Sequence, residues 1–174
     1  MTAASPEADG VRTRDLRIQL LTAESFAPFG TVIAAGEDGT PFGPQDAQLD
    51  LGAGTPRFYI MRIPGRGLTV TGITRHRACT QTLASVGGSA WVLAVAPPHD
   101  RDDPAAEPAL DDVRAFAIPG DVAVMLHRGT WHAGPLFEEG ERSFFNLELA
   151  DTNIMDHQTC MLTERYATAL RLTA

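Results

Sequence analysis

Two histidines in one short segment are the residues of this chain best suited to acid–base or metal chemistry. The segment LHRGTWHAGPL, residues 126–136, contains His127 and His132, which lie five positions apart. On a straight strand this odd spacing would point the two side chains to opposite faces. A turn at Gly129 could redirect the chain, because glycine tolerates unusual backbone angles. Both imidazoles would then face one cavity walled by Trp131. The alternative is a solvated surface hairpin.

A second polar cluster, RHRACTQTL, begins at Arg75 and ends a β-rich segment. His76 is its candidate for contact with a metal or a substrate, whereas Gln81 taken alone indicates nothing. Arg75, or Arg128 of the first cluster, could clamp a carboxylate through paired N–H donors. The arginines and His76 could equally be solvated surface groups.

The elements that must position these clusters are mostly short β-rich segments bounded by turn residues. They are FYIMRI (58–63), LTVTGITRH (68–76), SAWVLAVA (89–96), VRAFAI (113–118), DVAVML (121–126) and RSFFNLEL (142–149). Short strands at intervals of about ten residues are typical of a sandwich or barrel. A strand at residues 16–22 precedes them, and Thr22 is expected to cap a short helix. Residues 157–172 are predicted to return to helix.

Composition excludes several classes of function. The 174 residues carry a net charge of −8, which disfavours binding to nucleic acid or to an anionic membrane. All 14 cationic residues are arginine, so Schiff-base chemistry through lysine and a P-loop lysine are both excluded. The N-terminal residues are not expected to be a signal peptide and no membrane span is expected, so we expect a cytoplasmic protein. Residues 1–14 are predicted to be disordered, and residues 15–174 to form one domain.

The two clusters resemble the two sequence signatures of cupin barrels. Thr74 and His76 stand at the His-x-His pair of the first signature, and Gln81 stands at its carboxylate. The second signature ends in P-x-G-x-x-H, and HRGTWH places His132 at its final histidine. The resemblance implies an all-β, cupin-type barrel, an antiparallel double-sheet jelly roll with short N-terminal and C-terminal helices. It also implies a divalent nickel, zinc, manganese or iron ion at His76, Gln81 and His132, although a neutral amide is a poorer ligand than a carboxylate.

Over residues 16–157 the chain resembles the ureidoglycolate lyase family in particular. The matching elements, in chain order, are LTAESFAPFGTVI, RHRACTQ, VLAVA, RAF, LHRGTWHAGPL and DTNIMD. Three features of the family are missing. Ala133 follows His132 in place of a further histidine, Glu148 and Leu149 replace an Asp-Arg pair, and the family's longer arginine-bearing insertion is missing between Leu51 and Phe58. A family contact to the substrate carboxylate is therefore expected to be absent, which leaves a change of substrate open.

The family resemblance implies cleavage of ureidoglycolate to glyoxylate and urea, in the breakdown of purine-derived ureides, by a carbon–nitrogen lyase of the amidine-lyase type. Such a reaction needs a base, an acid and a cation that holds the carboxylate. The catalytic candidates are His127, His132 and Glu148, where Glu148 could instead be an edge-strand residue. The substrate-binding candidates are Arg75, Arg128, Trp131 and Gln81, the last as a hydrogen-bond donor to a substrate oxygen.

Two other functions remain open at this stage. One is a metal-dependent cupin enzyme that acts on another small hydroxy or oxo acid. The other is a non-catalytic barrel that binds a small carboxylate. In each case we expect a homodimer, because small cupins often pair through a sheet edge.

Overall fold

The computed structural model describes residues 10–174. Residues 1–9 of the segment predicted to be disordered lie outside this range. The first strand begins at Arg12 rather than at Leu16, so the ordered domain starts earlier than predicted. Within residues 10–174, no helix has the length and apolar character needed to cross a membrane.

The described residues form thirteen strands and three short α-helices. The strands are β1 Arg12–Leu20, β2 Gly30–Ile33, β3 Pro56–Pro64, β4 Thr69–Val70, β5 Gly72–Arg75, β6 Gln81–Ser85, β7 Trp91–Ala96, β8 Arg114–Ile118, β9 Ala123–Leu126, β10 Trp131–Leu136, β11 Glu141–Leu149, β12 Gln158–Met161 and β13 Thr168–Thr173. The helices are α1 Ala23–Phe26, α2 Thr152–Met155 and α3 Leu162–Tyr166, and a 3-10 turn covers Leu110–Asp112.

The strands form two curled sheets that close into a barrel, which confirms the predicted all-β, cupin-type fold. One sheet has eight strands in the order β12-β5-β10-β7-β8-β1-β13-β4, and the other has five in the order β2-β9-β6-β11-β3. One strand departs from the antiparallel pattern, because β1 runs parallel to both β13 and β8. Parallel neighbours need a long connection, and the chain between β1 and each of these partners provides one.

The two ends of the domain differ in how well the sequence predicted them. Helix α1 is capped as expected: Thr22 Oγ1 accepts from the Ser25 amide at 3.0 Å, and Ser25 Oγ accepts from the Thr22 amide. The predicted C-terminal helix over residues 157–172 is wrong, because only α3 is helical there. In β13, Leu170 and Leu172 alternate with more exposed neighbours and pack into the core, which is the period of a strand.

The core has two parts, which lie on opposite faces of β7. Leu93 and Val95 face an inner cluster between the sheets, which includes Phe116 and Phe144. Alternate residues such as Ala94 face an outer cluster that is covered by β13 and α3. A strand that is covered on both sides is expected to be almost continuously apolar, as β7 is.

We predict that replacing Gly30 with alanine destabilises the barrel. A Cβ at Gly30 would lie 1.9 Å from the backbone oxygen of Met125, so β2 and β9 would have to separate. The expected loss in free energy of unfolding is about 1–3 kcal/mol, measured by denaturant titration. Gly36→Ala is the control, because its Cβ would meet no atom within 4 Å. Equal unfolding midpoints for the two variants would contradict the prediction.

Candidate active site

A cavity of about 420 Å³ lies between the two sheets and is lined from both. Its polar end is formed by side chains from separate parts of the chain. These are Tyr59, His76, Gln81, His132, Asn146 and His157. The predicted meeting of the two clusters is therefore confirmed for His76, Gln81 and His132.

His132 faces the cavity because of its strand register. It pairs with Val95 of β7 and with Thr74 of β5, and these partners also face the space between the sheets. Only 8% of His132 is exposed, and its Nδ1 lies 3.3 Å from the carbonyl of Thr130. If Nδ1–H donates to this carbonyl, Nε2 keeps a lone pair. Burial, with a smaller contribution from His76, lowers the pKa of His132 to about 3, so the ring is neutral at neutral pH.

His76 follows β5 and lies beside His132, with the ring centres 5.1 Å apart. Its Nδ1 is 2.5 Å from the carbonyl of Asp156, which favours a proton on Nδ1 and a free Nε2. The Asp156 carboxylate also accepts from the backbone amides of Arg77 and Ala78, which holds the loop after β5 in place. Burial lowers the pKa of His76 as well. The cavity therefore contains two adjacent neutral imidazoles.

His157 is a cavity residue that the sequence did not predict. It is exposed at the edge of the cavity, and its ring centre lies 5.5 Å from that of His76. It was missed because residues 157–172 were assigned to a helix. The one available signal was its position directly after the family-like segment DTNIMD, whose Asn153 also lines the cavity.

Gln81 and Glu148 form a buried network behind the cavity surface. Gln81 Nε2 donates to Glu148 Oε2 at 2.9 Å and to Asn146 Oδ1 at 3.2 Å. Glu148 is only 1% exposed and also accepts from Tyr59 and Asn153. Glu148 does not line the cavity itself. It contacts Gln81, Tyr59 and Asn153, which do, and it reaches Asn146 through Gln81.

This network changes the predicted role of Gln81. An amide nitrogen has two protons, and both are used within the protein. Gln81 therefore has no donor left for a substrate oxygen, and the predicted donor role is wrong. Its Oε1 is buried without a hydrogen-bond partner among the described residues. A buried, unpaired acceptor costs about 1–3 kcal/mol, so this oxygen is suited to accept a proton donor or bind a cation.

His127 lies outside the cavity, contrary to prediction. Its Nε2 contacts the carbonyl of Ala27 at 3.2 Å, and its amide donates to Phe29. Gly129 does form the predicted turn, with φ of +83°. That turn brings only the returning strand β10 to the cavity. His127 is next to Leu126, which packs in the inner core, and the alternation of β9 points His127 away.

Arg75 and Trp131 also lie on the opposite side of their strands from the cavity. Both are buried, and the Arg75 guanidinium stacks over the Trp131 ring at 4.7 Å. Arg75 donates to Gln158 Oε1 at 2.9 Å and to the carbonyl of Asp103 at 2.6 Å. The predicted carboxylate clamp and cavity wall are wrong for these two residues. Their contacts hold the acidic loop of residues 97–112 against β12.

Arg128 is likewise separate from the cavity. It donates from Nε to the carbonyl of Arg77 and pairs with Asp50 at 2.9 Å. It lines a different, smaller groove beside Asp156. Arg128, predicted to contact a substrate carboxylate, therefore lies outside the histidine cavity.

A two-sheet barrel whose interior brings together histidines from two separate segments defines a cupin-type protein. Comparison with known families gives a match to the model for ureidoglycolate lyase over residues 13–169. The chain belongs to the ureidoglycolate lyase family.

Curated relatives named ureidoglycolate lyase agree with this assignment. The protein of Pseudomonas fluorescens strain SBW25 is 30% identical over 158 residues, covering 80% of this chain and 87% of the relative. The protein of Pseudomonas savastanoi pv. phaseolicola strain 1448A is 33% identical and covers 68% and 74%, respectively. The protein of Azotobacter vinelandii strain DJ is 29% identical and covers 68% and 75%.

We predict that His132 makes the metal-free protein less stable in mild acid. Its pKa is about 3 in the folded state against 6.5 as the ordinary value, so below pH 6.5 the unfolded chain binds a proton that the folded chain does not. Stability should therefore fall by roughly 2 kcal/mol from this group between pH 7 and pH 5. Denaturant titration at the two pH values measures the loss.

Two variants separate the contribution of His132 from the rest of the protein. His132→Gln should show a smaller loss between pH 7 and pH 5, because glutamine does not titrate. His99→Gln should behave like the unmodified protein, since the His99 side chain is exposed and does not line the cavity. An unchanged pH dependence in His132→Gln would contradict the assignment.

Proposed function

We propose that this chain is a carbon–nitrogen lyase of the amidine-lyase type that cleaves ureidoglycolate to glyoxylate and urea. The observation that carries the proposal is the pair of adjacent neutral imidazoles, His76 and His132, in a cavity between the sheets. Family membership over residues 13–169 supports the same chemistry.

The reaction moves one proton within the substrate. The hydroxyl oxygen and the ureido nitrogen are attached to the same carbon. Loss of the hydroxyl proton forms the carbonyl of glyoxylate, the carbon–nitrogen bond breaks, and the departing nitrogen gains a proton to give urea. Because the hydroxyl oxygen and the ureido nitrogen are bonded to the same carbon, one imidazole nitrogen can take the proton from the oxygen and deliver it to the ureido nitrogen.

His132 is assigned this proton transfer through Nε2. In the free protein the low pKa of His132 makes it a weak base. The carboxylate of a bound substrate brings a negative charge into the cavity, which raises the pKa of a nearby imidazole towards the working range. The second imidazole of the site is His76, in place of the predicted His127. It orients the substrate through its own Nε2.

The remaining polar side chains suit the urea end of the substrate. Gln81 Oε1 is an acceptor without a partner among the described residues, and the ureido group is rich in N–H donors. Tyr59 donates to Glu148 and accepts from Asn146, which fixes its hydroxyl group at the cavity wall. A buried acceptor that only the correct ligand satisfies contributes to specificity, because a ligand without the donor leaves it unpaired.

A divalent ion fits this donor set in part. Two imidazoles on one tetrahedral ion have ring centres on the order of 5 Å apart, and His76 and His132 are 5.1 Å apart. Within residues 10–174 no three His, Cys, Asp or Glu side chains are grouped to hold a metal. The third ligand would be Gln81 Oε1, which is weaker than a carboxylate. When bound, nickel, zinc, manganese or iron would act as a Lewis acid towards a substrate oxygen.

The test of the proposed reaction compares His132→Ala with His127→Ala. Glyoxylate release from ureidoglycolate is followed above the spontaneous background. We expect His132→Ala to lose at least about 100-fold in kcat, the usual contribution of an acid–base residue. His127→Ala should keep its turnover, because His127 is outside the cavity. Turnover that is unchanged in His132→Ala, or unmodified protein that releases no glyoxylate above background, would contradict the proposal.

Metal binding has its own expected outcome. Addition of Zn²⁺, Ni²⁺ or Mn²⁺ to chelator-treated protein should raise the melting temperature, because an ion that binds only the folded state stabilises it. The shift should disappear in the double variant His76→Ala/His132→Ala and persist in His127→Ala. Equal shifts in all three proteins would place metal binding elsewhere.

A further inference from the structure

One edge of the five-stranded sheet is long and open. Strand β3 ends that sheet, and within residues 10–174 its one strand neighbour is β11. The two strands pair over all nine residues of β3 without a register shift. The other sheet edges, β2, β4 and β12, have four residues or fewer. Natural proteins shorten, bend or charge their edge strands because a free edge pairs with other chains. A long, unbroken edge such as β3 is therefore typical of a site where another strand is added.

The hydrogen bonds at the two ends of β3 show which of its backbone groups face the open edge. The amide of Gly65 donates to Gly140 at 2.7 Å just after the strand, and the amide of Ala150 donates to Thr55 at 2.9 Å just before it. Hydrogen-bonded residues recur at every second position of an antiparallel pair. The odd-numbered residues of β3 therefore bond to β11, and the even-numbered residues direct their N–H and C=O groups to the open edge. These even-numbered residues are Pro56, Phe58, Ile60, Arg62 and Pro64.

The open edge has three donors at its centre and none at its ends. Phe58, Ile60 and Arg62 each offer an N–H group for which no partner occurs among the described residues. Pro56 and Pro64 offer only a C=O group, and proline within a sheet is largely confined to such edge positions. The edge is thus symmetrical about Ile60. A second copy of β3 laid antiparallel, with Ile60 opposite Ile60, sets proline opposite proline and pairs every free N–H group with a carbonyl.

The side chains of β3 favour the same arrangement. Phe58 and Ile60 are 67% and 56% exposed on the outer face of the sheet, and Phe58 stacks on Phe145 of β11 at 5.6 Å. In the register centred on Ile60, this residue meets its own copy, and Phe58 meets Arg62 of the second copy. An arginine over an aromatic ring is a favourable contact. The two Arg62 residues would lie about 14 Å apart along the strands. Because each remains paired with Glu141 of its own chain, like charges do not meet across the interface.

We propose that this chain forms a symmetric homodimer in which β3 pairs antiparallel with β3 of a second copy, centred on Ile60. The two five-stranded sheets then form one continuous sheet across the two-fold axis. An interface of this kind uses the same patch on both chains, so it requires a self-complementary edge. Pairing also fixes the strand whose inner side chains, Tyr59, Met61 and Ile63, line the cavity. The inference is independent of the proposed reaction, because it is drawn from the backbone and outer face of β3.

A cysteine at the two-fold axis tests the register directly. In the proposed pairing the Cα atoms of the two Ile60 residues lie about 5.5 Å apart, which is within the range of a disulfide. Ile60→Cys should therefore give a cross-linked dimer under mild oxidation, seen on a non-reducing gel. Arg62→Cys is the matched control, because it is exposed on the same strand but about 14 Å from its copy. The native Cys79 and Cys160 are buried and should not cross-link.

Analytical ultracentrifugation tests the association itself. The unmodified protein should sediment with the mass of two chains at micromolar concentration. Ile60→Lys sets two like charges opposite each other at the axis, so the dissociation constant should rise at least about 100-fold. Leu20→Lys should keep the dimer, because Leu20 is 84% exposed at the end of β1 in the other sheet. Equal far-ultraviolet circular dichroism spectra of the two variants would exclude misfolding as the cause.

Three results would overturn the inference: unmodified protein that sediments as one chain at every concentration, a dimer that survives Ile60→Lys, or no more cross-linking in Ile60→Cys than in Arg62→Cys. The first result would leave the edge of β3 open to an extended segment of a different protein. The second would place the contact on another surface, and the third would place it there or in another register.

Discussion

The pairing of His132 with Thr74, across β10 and β5, is the constraint on which the site depends. Side chains alternate along a strand, so this register decides which members of both polar clusters enter the barrel. Thr74, His76 and His132 face inward, while Arg75 and Trp131 face outward. A slip of one residue would exchange the two sets and place a guanidinium and an indole where the imidazoles now meet.

The outward-facing residues stabilise the register that positions the inward-facing ones. Arg75 stacks on Trp131 across the same two strands and reaches Gln158 on β12 and the loop at Asp103. In a buried position these contacts satisfy the guanidinium, which would otherwise be costly to enclose. The pair resembled binding residues in the sequence because arginine and tryptophan are common in ligand sites. Their position in the sheet shows that they support the fold next to the site.

The sequence predicted the barrel because strand periodicity and turn residues are local features. It also predicted that His76, Gln81 and His132 would meet, since these positions match a family pattern. It could not decide between His127 and His132, because a turn at Gly129 could redirect the chain and only the register of β10 against β5 and β7 shows which histidine enters the cavity. His157 was missed for a related reason: it lies in a connection that only the closed barrel brings to the cavity edge. The sequence predicts a helix at the position of the C-terminal strand, because the partner that makes it a strand, β1, is at the far end of the chain.

The position of the acidic group explains the electrostatics of the cavity. In the cupin signature a carboxylate stands where this chain has Gln81. Here the carboxylate is instead Glu148, one layer further from the cavity, and Gln81 lies between it and the open space. The substitution keeps a buried acid to fix the amide, but it removes a negative charge from the cavity surface and weakens the ligand set for a cation. The cavity surface therefore carries two adjacent neutral imidazoles and an amide oxygen that has no partner among the described residues, while the nearby carboxylate is held behind Gln81.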